Sequence, residues 1–156
     1  MSTVTTVNQT TNQAHFDYDI SKIFVFGNRY TQDTLLNDSG ALKTFYPGTV
    51  LGRIAATGKL VPCDSTATDG SQIPMGVLKS EVELAIAGEA TVYVCIKGDV
   101  VSSKLIFTGA ETVDTVVTIQ DSVPADTTYT RTMKDLIQST GIILIETEEL
   151  TDFDNQ

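Results

Sequence analysis

The chain has 156 residues, of which 41% are hydrophobic, and a formal charge of −10 at pH 7. This length suits one domain with a single core, and the apolar fraction predicts that the chain folds. The excess of carboxylates argues against nucleic acid or an anionic membrane as a partner, because no stripe of Lys and Arg could neutralise phosphate. Tryptophan is absent and β-branched residues are abundant, which favours strands over helices.

The two ends of the chain differ from its middle. Residues 1–20 are predicted to form a flexible arm, since their first fifteen positions are mostly Thr, Asn, Gln and Ser. Phe16, Tyr18 and Ile20 then alternate with aspartates, a pattern that suits a strand added to the edge of another sheet. Residues 110–156 carry two basic against ten acidic residues, and 146–156 are expected to be an acidic, solvated tail.

Between these ends, residues 21–145 predict one β-rich domain. Short apolar segments separated by Gly and Asp are typical of a small barrel or sandwich. Residues 28–45 are polar and turn-rich, and Ala90–Lys97 is expected to be central because both of its faces are apolar. The predicted strands are Lys22–Phe26, Thr49–Ile54, Lys59–Pro62, Pro74–Leu78, Val82–Ile86, Ala90–Lys97, Leu105–Phe107, Val116–Ile119 and Ile142–Ile145.

One short helix is predicted near the C-terminus. Thr130 is a suitable N-cap, and Gly141 is a natural stop. Met133, Leu136 and Ile137 follow the helical spacing in between, so they are expected to face the core.

No export signal precedes the domain, and no apolar stretch is long enough to span a bilayer. We therefore expect synthesis in a reducing cytoplasm, with Cys63 and Cys95 as free, buried or half-buried thiols. Cys63 has no basic neighbour in the sequence that would activate it as a nucleophile.

Two segments and one histidine bear on possible catalytic or metal-binding sites. Gly52 to Leu60 resembles a phosphate-binding loop only superficially, because five residues rather than four separate its glycines and Leu60 replaces the magnesium-binding hydroxyl. A hairpin turn at Thr57-Gly58-Lys59 is expected instead. Asp64 and Asp69 flank a loop whose spacing favours turns over a calcium site. His15 is the only histidine and is expected to be solvated, so we predict no metal, no cofactor and no catalytic residue.

Three consecutive stretches, Pro47–Arg53, Ala56–Pro62 and Thr68–Leu78, resemble the lambda-like phage head decoration proteins. The resemblance covers residues 45–109 well and 130–145 more loosely, where a late helix is followed by Gly141 to Leu144. A turn at Lys97 to Val101 is similar to a further landmark of that family. The residues that carry the family motifs are Gly48, Leu51, Gly52, Thr57, Gly58, Lys59, Asp69, Gly70, Gly76 and Gly98.

The resemblance implies a small barrel-like domain that forms a homotrimer on the outer surface of an expanded phage head. There it would bridge copies of the major capsid protein and stabilise the virion. Family members often reach the shell with an N-terminal arm, so the implied capsid contacts in this chain are His15, Phe16, Tyr18 and Ile20. Residues 16–45 are longer than in the shortest members, and they are expected to add shell contacts or a distinct subdomain.

Two other functions remain as alternatives. A β-sandwich recognition module of a phage fibre or surface protein could bind glycan or protein, but it would need an aromatic platform. The five tyrosines are not clustered in the sequence; they are Tyr18, Tyr30, Tyr46, Tyr93 and Tyr129. A small hydrolase would need a fixed histidine or a carboxylate pair, and neither is evident.

Overall fold

The structure is a computed structural model that describes residues 23–122 and 125–146, without the side chains of 121–127. The predicted arm, with His15, Phe16, Tyr18 and Ile20, lies outside the described residues, as does the tail beyond Glu146. Ten strands, one 3-10 turn at Ser102–Lys104 and one helix make up the described part. The strands are β1 Phe24–Leu36, β2 Lys43–Phe45, β3 Val50–Arg53, β4 Leu60–Pro62, β5 Pro74–Leu78, β6 Val82–Leu84, β7 Glu89–Val101, β8 Val116–Ser122, β9 Ala125–Thr132 and β10 Ile142–Ile145; the helix is α1 Met133–Ser139.

Five strands close into a barrel in the order β1-β4-β3-β5-β7, with β1 pairing back to β7. β10 joins the same sheet as a sixth strand, parallel to the last part of β7. β2 and β6 form a small antiparallel pair, and so do β8 and β9. The predicted mostly-β barrel with one short helix near the C-terminus is therefore confirmed.

The strands bury two separate cores because consecutive residues point to opposite faces of a sheet. One core fills the barrel, since every barrel strand contributes to it, and β2 and β6 cover one side with Phe45 and Leu84. The other core lies between the outside of the barrel and a layer made by α1 and β8. Cys95 belongs to this outer core while its neighbour Val94 points into the barrel, which explains why β7 is apolar on both faces.

The predicted boundaries hold for several elements. Pro74–Leu78 and Ile142–Ile145 are strands with those bounds, and β7 is central, with partners on both sides. The helix buries Met133, Leu136 and Ile137, and Gly141 follows its last turn with a φ of 107°. Cys63 and Cys95 are free, buried thiols, as expected.

The prediction that residues 28–45 are turn-rich is wrong for residues 28–36, which form a strand. β1 does not end at Gly27-Asn28 but continues to Leu36, because its backbone pairs with almost the whole length of β7. Gly27 and Asn28 fall between register positions 26 and 29, where the ladder shifts, so they form an irregularity within a strand rather than a turn. The sequence concealed this strand because most of its outward positions are polar.

Other predictions near the C-terminus also need correction. Thr130 lies inside β9, a Thr-rich strand that was not predicted, and the N-cap is Thr132, whose side chain accepts from the Asp135 amide. Leu105–Phe107 is no strand, since only Ile106 forms a single bridge, to Thr49.

Two further strand ends differ from the bounds that the sequence predicts. β6 stops at Leu84, which leaves Ile86 exposed in a turn. The predicted turn at Lys97 to Val101 is part of β7; Gly98 interrupts the strand only locally, with a φ of 115°.

Candidate functional site

The two ends of the described chain lie side by side. The Val101 amide at the end of β7 donates a hydrogen bond to the Ile23 carbonyl, with an N···O distance of 2.9 Å. On the other side of β7, Val101 pairs in register with Ile145 of β10. The N-terminal and C-terminal segments therefore leave the barrel at one place, separated by a single strand.

Next to this place, apolar side chains are exposed on the sheet. Phe26 of β1 and Ile143 of β10 both lie opposite Asp99 of β7. Because directly paired residues project from the same side of a sheet, the three side chains form a row across three strands. Phe26 is 76% exposed and Ile143 is 58% exposed, so little of either side chain contributes to the fold. We call the surface formed by Phe26, Asp99 and Ile143 the terminal face.

Most glycines of the family motifs allow close packing of the backbone within the barrel. They do not form part of the terminal face. A Cβ added to Gly52 would lie 2.7 Å from the Ser71 carbonyl carbon, and one added to Gly98 would lie 2.6 Å from the Asn28 Cα. Real Cβ atoms do not approach backbone so closely, so only glycine fits at these positions. The same crowding, below 3.0 Å, applies at Gly48, Gly70 and Gly76.

The remaining motif residues shape turns and the core. Leu51 is fully buried in the barrel. Thr57, Gly58 and Lys59 form the predicted hairpin turn between β3 and β4, where Gly58 has a φ of 72°. Lys59 also forms an ion pair with Glu89.

Asp69 accepts hydrogen bonds from the Ser71 hydroxyl and amide, at 2.6 and 3.0 Å. These two bonds, the hydroxyl first, lower the pKa of the Asp69 carboxyl. Asp64 accepts from Thr66 in the same way, at 2.6 and 2.8 Å. Asp64 and Asp69 therefore both stabilise local turns of this loop, in agreement with their spacing in the sequence.

The described residues also give no indication of a metal-binding site or of a reactive thiol. Residues 23–122 and 125–146 contain no group of three or more His, Cys, Asp and Glu placed to hold a metal ion. Burial, and then the charges of Glu111 and Asp64, raise the pKa of the Cys63 thiol to about 12. A thiol with so high a pKa is a poor nucleophile. No helix among these residues is both long and apolar enough to cross a membrane.

Pairing across the sheet brings two of the scattered tyrosines together. The Lys79 ammonium lies 4.4 Å from the centre of the Tyr30 ring and 5.6 Å from that of Tyr93. Gln32 Nε2 donates to the Tyr93 hydroxyl at 2.9 Å. The ammonium therefore lies closer to the Tyr30 ring, and Tyr93 stays half exposed.

Little in the sequence points to the terminal face. The pattern predicts a short strand at Phe26 and a buried one at Ile143, so neither side chain is expected to be exposed. Phe26 and Ile143 lie in one row only because β1 and β10 both pair with the end of β7 in this register. The one hint in the sequence is Gly98, which interrupts the apolar alternation of the β7 segment. Glycine inside a strand often marks an irregularity.

The closed five-strand barrel with its exposed apolar row places the described part in the class of small closed β-barrels. Residues 23–122 match the family model described as bacteriophage lambda head decoration protein D, and the chain therefore belongs to this family. The suspected resemblance is thus confirmed, and all ten motif residues fall within the matched region. No curated protein matches the chain.

Membership establishes a role in phage head decoration and makes the chain a structural component of the virion capsid. Proteins of this kind are structural rather than enzymes. The match begins at residue 23, so β1 and β2 belong to the family domain rather than to an addition. It ends at residue 122, before β9, α1 and β10.

Proposed function

We propose that the chain binds the outer surface of the expanded phage head and stabilises it by bridging neighbouring major capsid protein subunits. The observation that carries this proposal is the terminal face, where both chain ends emerge beside the exposed Phe26 and Ile143. A protein that docks through this face would direct residues 1–20 toward the shell and keep the rest of the barrel away from it.

In this proposal the chain has three parts: an arm at 1–20, a decoration domain at 21–145 and an acidic tail at 146–156. The arm binds the shell through His15, Phe16, Tyr18 and Ile20. An alternating segment that adds to a sheet edge gains affinity from backbone hydrogen bonds, and its apolar side chains fix the register. A shell groove that forms only after expansion would give specificity for the mature head.

Bridging follows from multivalency and mass action. A homotrimer would present three arms and three terminal faces, so modest contacts add up through effective concentration. A ligand at 100 times its dissociation constant that binds only the assembled shell adds about 2.7 kcal/mol per site. The same stabilisation, repeated at each site of the capsid lattice, would then oppose rupture of the head. The net charge of −10 suits a protein on the outside, away from packaged DNA.

Co-sedimentation with purified heads tests the proposal. The full chain should pellet with expanded heads and stay in solution with unexpanded ones. Phe26→Ser combined with Ile143→Ser should weaken binding about tenfold or more, because each apolar side chain is worth about 1.5–3 kcal/mol when buried. Failure of the full chain to pellet with either form of head would contradict the proposed function.

Ile86→Ser is the matched control for this experiment. Ile86 is 64% exposed, between Phe26 and Ile143 in degree, but it lies in the turn before β7, at the other end of that strand. Its replacement should leave binding unchanged. Equal losses in both variants would mean that the terminal face is not the docking surface. Thermal unfolding of each variant shows that the barrel is intact.

A further inference from the structure

A carboxylate lies in the middle of the terminal face. Asp99 of β7 is directly opposite Phe26 of β1 on one side and Ile143 of β10 on the other. Directly opposed residues are neighbours on one side of a sheet, so two apolar side chains, 76% and 58% exposed, flank the carboxylate. Asp99 is itself partly exposed. A molecule that covers the apolar row therefore also covers a negative charge.

The backbone at Asp99 is fixed by the fold. The side chain of Asn28 donates through Nδ2 to the Asp99 carbonyl at 3.1 Å. Gly98 packs so closely that a Cβ on it would lie 2.6 Å from the Asn28 Cα. The β1–β7 register shifts at this point, between Phe26 and Arg29. Such irregularities redirect side chains and are common beside functional sites. The carboxylate thus projects from a backbone that is held before any partner arrives.

The Asp99 carboxylate has no charged partner among the residues that the structure describes. Asp33, Glu89 and Glu146 each form an ion pair with a lysine or arginine there, whereas Asp99 forms none. Lys97, two residues earlier on the same strand, does not pair with it either. In the free protein this costs little, because water solvates a partly exposed carboxylate.

Docking through the terminal face changes this balance. Burial of Phe26 and Ile143 against a partner would also remove water from the carboxylate between them. A carboxylate that loses its water without gaining a partner is strongly destabilised. The surface that covers the terminal face must therefore supply a positive charge at Asp99, so a purely apolar surface does not fit.

The two apolar side chains favour one kind of cation. A guanidinium is planar and weakly hydrated, and it can pair with a carboxylate through two parallel hydrogen bonds. It also stacks on aromatic rings, and its aliphatic stem packs against apolar side chains. Phe26 offers a ring, Asp99 a carboxylate and Ile143 an aliphatic surface, all in one row. A lysine ammonium is a compact, strongly hydrated charge and would use the ring less well.

We propose that the terminal face binds an arginine side chain of the major capsid protein, with the guanidinium on Asp99 and against the Phe26 ring. This inference rests on the proposed function, because it names the group of the shell that this face contacts. A charge pair at the centre of an apolar contact fixes orientation and rejects surfaces that leave the charge unpaired. Asp99 would then determine specificity, while Phe26 and Ile143 supply apolar area.

Co-sedimentation of chain variants with expanded heads, over a range of concentrations, tests the charge. Asp99→Asn keeps the shape of the side chain and should raise the Kd about tenfold or more, because the arginine loses its counter-charge. Asp99→Glu retains the charge and should keep most of the affinity. Asp38→Asn is the matched control, since it changes the net charge equally at an exposed position beyond the other end of β1.

The control variant should bind like the full chain, and equal unfolding midpoints of all variants show that the barrel is intact. An Asp99→Asn variant that binds as tightly as the full chain would overturn the inference.

Modification of the heads tests the other half of the pair. Expanded heads are treated with phenylglyoxal, which modifies arginine, or acetylated at lysine as the matched treatment. Phenylglyoxal should weaken binding of the full chain about tenfold more than binding of Asp99→Asn, because that variant has already lost the pair. Acetylation should affect the two chains equally. Equal effects of phenylglyoxal on both chains would overturn the pairing of Asp99 with an arginine.

The two proposals fail in distinguishable ways. A full chain that does not pellet with expanded heads contradicts the proposed function. A chain whose binding depends on Phe26 and Ile143, but not on the charge of Asp99, contradicts the arginine contact alone.

Discussion

The amide of Val101 donates to the carbonyl of Ile23, and this 2.9 Å hydrogen bond fixes where the N-terminal segment joins the barrel. Val101 is fixed in turn by β10, whose Ile145 lies opposite it. Ile23 is the first described residue, so the described chain begins at a defined point on the sheet.

Asn37 should be essential for stability although it has no role in binding. It is fully buried at the end of β1, and its Nδ2 donates to the carbonyls of Leu84 and Ala85, both at 2.9 Å. Asn37→Ala leaves these carbonyls without their donor and should lower the free energy of unfolding by about 2–3 kcal/mol. Urea unfolding measures the change. Ser39→Ala, whose exposed hydroxyl bonds Asn37, should cost less than about 1 kcal/mol; equal costs would contradict the role of Asn37.

Gly52 and Gly58 allow a matched comparison within one family motif. Gly52→Ala would push a methyl group into the Ser71 backbone, so the free energy of unfolding should fall by about 3 kcal/mol or more. Gly58→Ala meets open space and is strained only by its φ of 72°, which costs roughly 1 kcal/mol. Thermal or urea unfolding of both variants checks the order. A larger loss in Gly58→Ala than in Gly52→Ala would contradict the close packing of Gly52 against the Ser71 backbone.

Cys63 should resist modification in the folded protein. Its side chain is fully buried, and burial raises the pKa of its thiol from 9.0 to about 12. The folded state thus favours the neutral thiol, and this contribution to stability is complete below pH 9 and is lost as the pH rises toward 12. At pH 8 a thiol reagent should react with Cys63 only as fast as the protein opens, and rapidly in urea. Labelling of native Cys63 within minutes would contradict the buried site.

The sequence was sufficient to predict those elements in which local pattern and burial agree. Pro74–Leu78 is apolar and lies between turns, and the helix shows its spacing, its core residues and its stop at Gly141. The family motif could be recognised for a related reason. Gly52, Gly70 and Gly76 are required by close packing of backbone, so they leave a regular signature.

The long strand β1 and the strand β9 could not be predicted in this way. Both are polar over much of their length, and each is a strand because a partner pairs with it, β7 in one case and β8 in the other. Tertiary pairing overrides local propensity in such segments. The terminal face was hidden for the same reason, since cross-strand register brings Phe26 and Ile143 into one row.

Attachment of the protein to the shell is proposed to depend on residues 1–20, which precede Ile23 in the chain. The most direct measurement compares head occupancy by the full chain with occupancy by a chain that lacks residues 1–20, at equal concentrations on expanded heads. The shortened chain should keep the unfolding midpoint of the full chain and lose nearly all occupancy. Full occupancy by the shortened, folded chain would contradict the account.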